Sequence, residues 1–173
     1  MKWCNKQIFE VFPMLIRRAC EADIPHILSM LRQVGQVHHL IRPDIFPAGT
    51  IKYDASALQE LLQNTDRPIF IADLDGKVAG YCFCVHKRIE AGSCSVSRAE
   101  LYIDDLCVDE NCRRMGIARA LYHHALSYSK TLGCQSLTLN VWCGNDGAMR
   151  FYEEMGLRPR NILMEIPLEE PKC

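Results

Sequence analysis

The chain has 173 residues, 49% of them hydrophobic and 24% charged, with a formal net charge of -1. That length fits one domain over residues 1–173, with its folded part at about 14–168 and enough chain for a sizeable core. The near-neutral balance argues against nucleic acid or an acidic membrane surface as the main partner, and no apolar run reaches the ~20 residues of a bilayer-spanning helix.

The opening MKWCNKQIFEVFPMLIRRA is too short and too interrupted for a signal peptide, so a cytoplasmic location is the expectation. Residues 14–20 read as a short strand. Asp23 then caps a helix whose apolar positions Ile24, Ile27, Leu28, Leu31 and Val34 recur three and four apart. A proline-bounded connection through His38, His39 and Arg42–Pro47 follows, and Asp54 starts a second helix with Leu58, Leu61 and Leu62 inward. Strands are expected at 68–74 and 77–88, joined by the hairpin pair Asp75-Gly76. A small-residue loop at 89–98 leads to a long strand at 99–108 and a helix over about 115–131, stopped by Gly133. Ser136 to Trp142 alternates as a strand, Asn145 leads a short helix ending before Gly156, and 161–168 (NILMEIPL) reads as a final strand. This order predicts one α/β domain without repeats or linkers.

The ten cysteines contain no CxxC pair, so zinc ribbons and thioredoxin-like chemistry have little support. Their placement in or beside apolar elements points to reduced thiols used as small hydrophobes. His38 and His39 lack a third ligand, and no metal is expected.

The chemistry concentrates at 106–122, LCVDENCRRMGIARALY. An apolar strand end meets an acidic turn, then Arg113 and Arg114 stand beside Gly116 at the mouth of a helix. The first amides of a helix lack intrahelical partners, and the helix dipole favours an anion there. Gly116 lets the backbone approach a ligand where a Cβ would intrude. A phosphorylated ligand suits that arrangement.

Two segments carry a resemblance to a known family. Arg113-Arg114-Met115-Gly116-Ile117-Ala118 fits [Q/R]-x-x-G-x-[G/A]. After an intervening strand, Asn145 through Ala148, Phe151-Tyr152-Glu153 and Gly156 fits N-x-x-A-x-x-[F/L]-Y-E-x-x-G. With the strand Tyr102–Val108 before them, they resemble the GNAT (GCN5-related) N-acetyltransferases across nearly the whole chain. The resemblance implies a mixed, mostly antiparallel sheet of 6–7 strands with a splayed pair and flanking helices.

It also implies acetyl-CoA as co-substrate, without a metal. The amides of Arg114, Met115, Gly116, Ile117, Ala118 and Arg119 would hold the pyrophosphate, with charge from Arg113, Arg114 and Arg119. Backbone groups at Leu106, Cys107 and Val108 would meet the pantetheine arm and the thioester carbonyl. Asn145 would bond the arm, with Ala148 small enough to let it pass. Tyr152 would protonate the leaving thiolate as a general acid. Cys107 would need to be exposed and ionised for a covalent route.

Strand alternation puts Asp104 on the face of Tyr102, Leu106 and Glu100, and Asp105 on the other face. The resemblance implies an acid at the position of Asp104, which makes it the first candidate for the base that deprotonates the amine, directly or through water, with Glu100 the second and Asp105 structural on the other face. His38, His39 and Phe46 are candidates for acceptor contact, and the 89–98 loop for shaping the acceptor opening. The acidic strand favours a small cationic or amino-acid-like primary amine attacking directly in a ternary complex. A protein N-terminus or lysine is the alternative, and a non-catalytic acyl-CoA-binding module the rival from another class. A homodimer is compatible with the resemblance.

Overall fold

A computed structural model describes residues 14–168. Its order is β1 (Met14–Arg18), α1 (Ile24–Ile41), α2 (Ala55–Leu62), β2 (Ile69–Leu74), β3 (Lys77–Ile89), β4 (Arg98–Val108), α3 (Ile117–Thr131), β5 (Ser136–Leu139) and α4 (Asp146–Glu154). Short 3-10 turns precede α1 and α3. The sheet runs in the order β1-β2-β3-β4-β5, antiparallel except for the parallel pair β4–β5.

Each sheet face buries its own apolar layer. On one face, Ile27, Met30 and Leu31 of α1 and Leu58 of α2 meet Ile71, Tyr81 and Phe83. Removing side chains of this size from water is worth about 1.5–3 kcal/mol each. On the other face, Ile117, Leu121 and Ala125 of α3 meet Phe70, Ala79, Cys82, Leu101 and Ile103. Gly80 lets that helix come close. A Cβ there would stand 2.9 Å from the Cys107 carbonyl oxygen and 3.1 Å from an Ile117 methyl.

Asp23 does not cap α1 through its side chain. Its carboxylate instead takes Arg17 at 2.8 Å and 2.9 Å and the Cys20 amide at 2.8 Å, which locks β1 to the helix start. Asp54 does cap α2, accepting from the Ala57 amide.

The described sheet has five strands where 6–7 are expected. Residues 161–168 form no strand, and Ile162, Leu163, Met164 and Ile166 are at least 80% exposed. An alternating apolar run becomes a strand only beside a partner that satisfies its backbone, and among the described residues none is paired with it. The fifth strand likewise stops at Leu139, three residues before Trp142, and α3 starts at Ile117 instead of 115. The eight cysteines of the described residues are all free.

Candidate active site

Two features of β4 make the site. First, β5 pairs with it only from Glu100 to Ile103, while β3 follows it to Val108. The Asp109 amide donates to Ala79, so Val108 and Leu106 point their backbone groups away from β3 and toward the vacant side. The strand thus offers an unpaired edge from Asp104 onward.

Second, β4 carries an extra residue. Phe83 faces Asp105 and Cys84 faces Ile103, leaving Asp104 as a bulge. The bulge breaks the expected alternation. The Asp104 carboxylate accepts from the Tyr53 hydroxyl at 2.8 Å, and Asp105 accepts from the Tyr81 hydroxyl at 2.9 Å. Both tyrosine rings pack on Phe83, so both carboxyl groups lie on the α1–α2 face.

A cleft of about 1310 Å³ follows the open edge. It is lined by Tyr102 through Val108, by Arg113, Arg114 and Ala118, and by Asn145, Ala148 and Tyr152. An adjoining cavity of about 330 Å³ shares Val108, Arg113, Arg114, Ala118 and Phe151 with it, and adds Gly116, Ile117 and Arg119. Arg114 and Gly116 both adopt left-handed backbone, at φ 67° and 79°. A non-glycine residue in that region stores roughly 1–2 kcal/mol, a cost typical of ligand sites. A Cβ on Gly116 would meet nothing within 4 Å, so the glycine serves the turn and leaves free space above it. The first bond of α3 runs from Ala120 to Gly116, which leaves the amides of 117–119 unpaired within the helix. Three arginines beside amides left unpaired in the helix can hold a diphosphate group. Met115 is 60% exposed and lines neither space.

Tyr152 lies in the cleft on α4. Burial first, then the negative groups nearby, raise its hydroxyl well above the ordinary phenol value, so it keeps its proton through neutral pH. Among the described residues that hydroxyl has no hydrogen-bond partner. Asn145 caps α4 by accepting from the Ala148 amide at 3.2 Å. Its side-chain nitrogen is the group left for a ligand.

Asp104 is committed to cations. It pairs with Lys52 at 2.8 Å and has Arg67 at 3.8 Å, besides Tyr53. Asp105 differs. Burial is the largest influence on it and raises its pKa to about 6, with Asp104 adding to the rise and the Tyr81 hydroxyl, Lys52 and the Leu106 amide opposing it. Asp105 is half-buried and lines the cleft.

Glu100 stands apart. It is buried, it bonds Arg160 at 2.8 Å, and it does not line the cleft. The 89–98 loop does not line it either. Cys107 is buried, and burial lifts its thiol to about 12, so it remains a neutral packing group. His38 and Phe46 do line the cleft, whereas His39 turns its ring nitrogen to the Phe46 carbonyl. Sequence reasoning did not single out Lys52, Tyr53, Tyr81 and Trp142. Only Trp142 had a visible signal, its place just after a strand beside Asn145.

A family model described as the acetyltransferase (GNAT) family matches residues 35–157. An N-acetyltransferase of Methanocaldococcus jannaschii is 27% identical over 104 residues, 60% of this chain and 44% of that protein. The chain thus spans less than half the length of that relative. The tetramutant of the BH1408 protein from Bacillus halodurans superposes at TM-score 0.85 with 30% identity, over 89% of this chain and 99% of that one. An aminoglycoside acetyltransferase from an uncultured soil metagenomic sample, in complex with sisomicin, shares the fold at TM-score 0.68 and 21% identity, over 90% and 97% of the two chains.

Proposed function

This chain belongs to the GNAT acetyltransferase family, and from that membership we propose that it transfers an acetyl group from acetyl-CoA to a primary amine by direct attack in a ternary complex. Acetyl-CoA supplies the activated acetyl group as a thioester. The observation that carries the reading is the unpaired edge of β4, set between the arginine-rich turn and Tyr152.

The residues present fit that ligand. The turn at Arg113–Gly116 and the amides of 117–119 would hold its diphosphate, and the Leu106 and Val108 backbone groups would take an extended amide arm as an added strand. Ala148 and Asn145 border the same path.

Two proton movements follow from this chain's groups. An amine arrives protonated at neutral pH and must lose that proton before it attacks. Asp105 takes it, because a carboxyl group near pH 6 is ionised at neutral pH yet basic enough to accept a proton. Asp104 holds Lys52 and Tyr53 in place beside it. Tyr152 keeps its proton until the sulfur departs and then donates it to the thiolate. Cys107 stays protonated and buried, which gives a covalent acetyl-cysteine route no support.

Initial rates of CoA release, measured while acetyl-CoA and an amine are both varied, test this proposal. Intersecting double-reciprocal lines with one acetylated amine per CoA are expected. Parallel lines contradict the ternary route, and release that ignores the amine contradicts the transferase reading.

A further inference from the structure

One end of the cleft is walled by aromatic and aliphatic groups that lie outside both buried layers of the sheet. Phe46 lies 5.0 Å from the His38 ring and 5.1 Å from Trp142, edge-on to the indole. All three line the cleft, with Val37 and Ile45 continuing the surface. Trp142, Val37 and Ile45 are 37%, 37% and 42% exposed and line the cleft, so the wall presents apolar surface to it. None of the five belongs to either buried layer of the sheet.

The wall is also electrically quiet. Burial, and then the nearby Lys52, lower the His38 pKa, which leaves a neutral imidazole at pH 7. Arg42 stacks 5.9 Å from the Trp142 ring, but its guanidinium is taken up by Asp44 and Glu165. Asp104 is neutralised by Lys52. Asp105 is then the acidic group of the acceptor end without a cationic partner of its own, and its hydrogen bond comes from a neutral tyrosine.

We infer that the acceptor is a primary monoamine on an apolar, preferably aromatic, body, held by the His38–Phe46–Trp142 wall with its ammonium at Asp105. This rests on the transferase reading above. A polycation would bring further ammonium groups into a cleft that Lys52 also lines, where Asp104 is already paired. The soil aminoglycoside acetyltransferase shares the fold, which does not carry its acceptor to this chain.

The test is kcat/KM from CoA release for n-propylamine through n-hexylamine, 2-phenylethylamine, spermidine, sisomicin and a short peptide with a free N-terminus. Each added methylene should raise kcat/KM about threefold to fourfold, the transfer value of a buried CH₂. Phenylethylamine should exceed spermidine and sisomicin. Trp142→Ala should raise KM for phenylethylamine about tenfold or more, the loss of one aromatic contact face, and Trp142→Phe should recover most of it. Acetyl-CoA affinity of each variant, read by calorimetry, reports that the fold is intact.

A flat alkyl series overturns the inference, as does a preference for sisomicin, spermidine or the peptide; in each case the transferase reading stands. Tight acetyl-CoA binding without turnover of any amine overturns both. The two failures are therefore distinguishable.

Discussion

Asp104 and Asp105 are consecutive residues of one strand whose carboxyl groups turn to the same face, held by Tyr53 and Tyr81, both of which pack on Phe83. Regular alternation would separate them. The bulge at Asp104 unites them, and in doing so gives one carboxylate to Lys52 and leaves the other for the cleft.

The raised Asp105 pKa sets a pH dependence. Its carboxyl form cannot accept a proton, so kcat/KM should rise through about pH 6 and level off above it. The folded protein binds this proton more tightly than the unfolded chain does. The resulting stability is present at low pH and lost as pH climbs through about 6. Asp105→Asn should abolish the rising limb and lower kcat by about 10²-fold or more. A limb that survives in the variant assigns the base to another group.

Gly116 should be sensitive for two separable reasons. Gly116→Val strains a left-handed residue by roughly 1–2 kcal/mol and fills the space above the turn, so acetyl-CoA affinity should fall about tenfold or more. Gly133→Val is the control. It has φ 69° and open space at the other end of α3, so it carries the strain without the ligand. Calorimetry on both variants separates the effects, and equal affinities would place the phosphates elsewhere.

Gly80 is a packing constraint with no ligand role. Gly80→Ala must push against the Cys107 carbonyl at 2.9 Å and Ile117 at 3.1 Å, and should cost about 1–3 kcal/mol in denaturant unfolding. An unchanged midpoint would mean that α3 shifts freely over β3.

Cys107 should tolerate replacement. Its thiol is buried and neutral, so Cys107→Ala should lose stability but retain most of kcat, since no bond to sulfur is made. Loss of turnover in a folded variant would revive a covalent route.

What could be read in the sequence followed the physics of each element. The α1 and α2 faces were visible because apolar spacing fixes which side of a helix is buried, and the Gly116 turn was visible because left-handed backbone selects glycine. The bulge was not, because nothing in Tyr102–Leu106 marks an extra residue until β3 is laid beside it. Alternation therefore put Asp105 on the other face, and it could not show that Glu100 bonds Arg160, sixty positions away, and does not line the cleft. The 161–168 run looked like a strand because alternation records apolar spacing, not the presence of a neighbour. Trp142 and Phe46 meet only in three dimensions.

The most direct measurement compares wild-type protein with Tyr152→Phe in amine-dependent CoA release, with acetyl-CoA affinity taken on both by calorimetry. Loss of the hydroxyl should lower kcat about 10²-fold while leaving affinity within a factor of about two, because the proton is given only as the sulfur departs. Equal kcat in the two proteins, or amine-independent release in both, would contradict Tyr152 as the acid of an acetyl transfer.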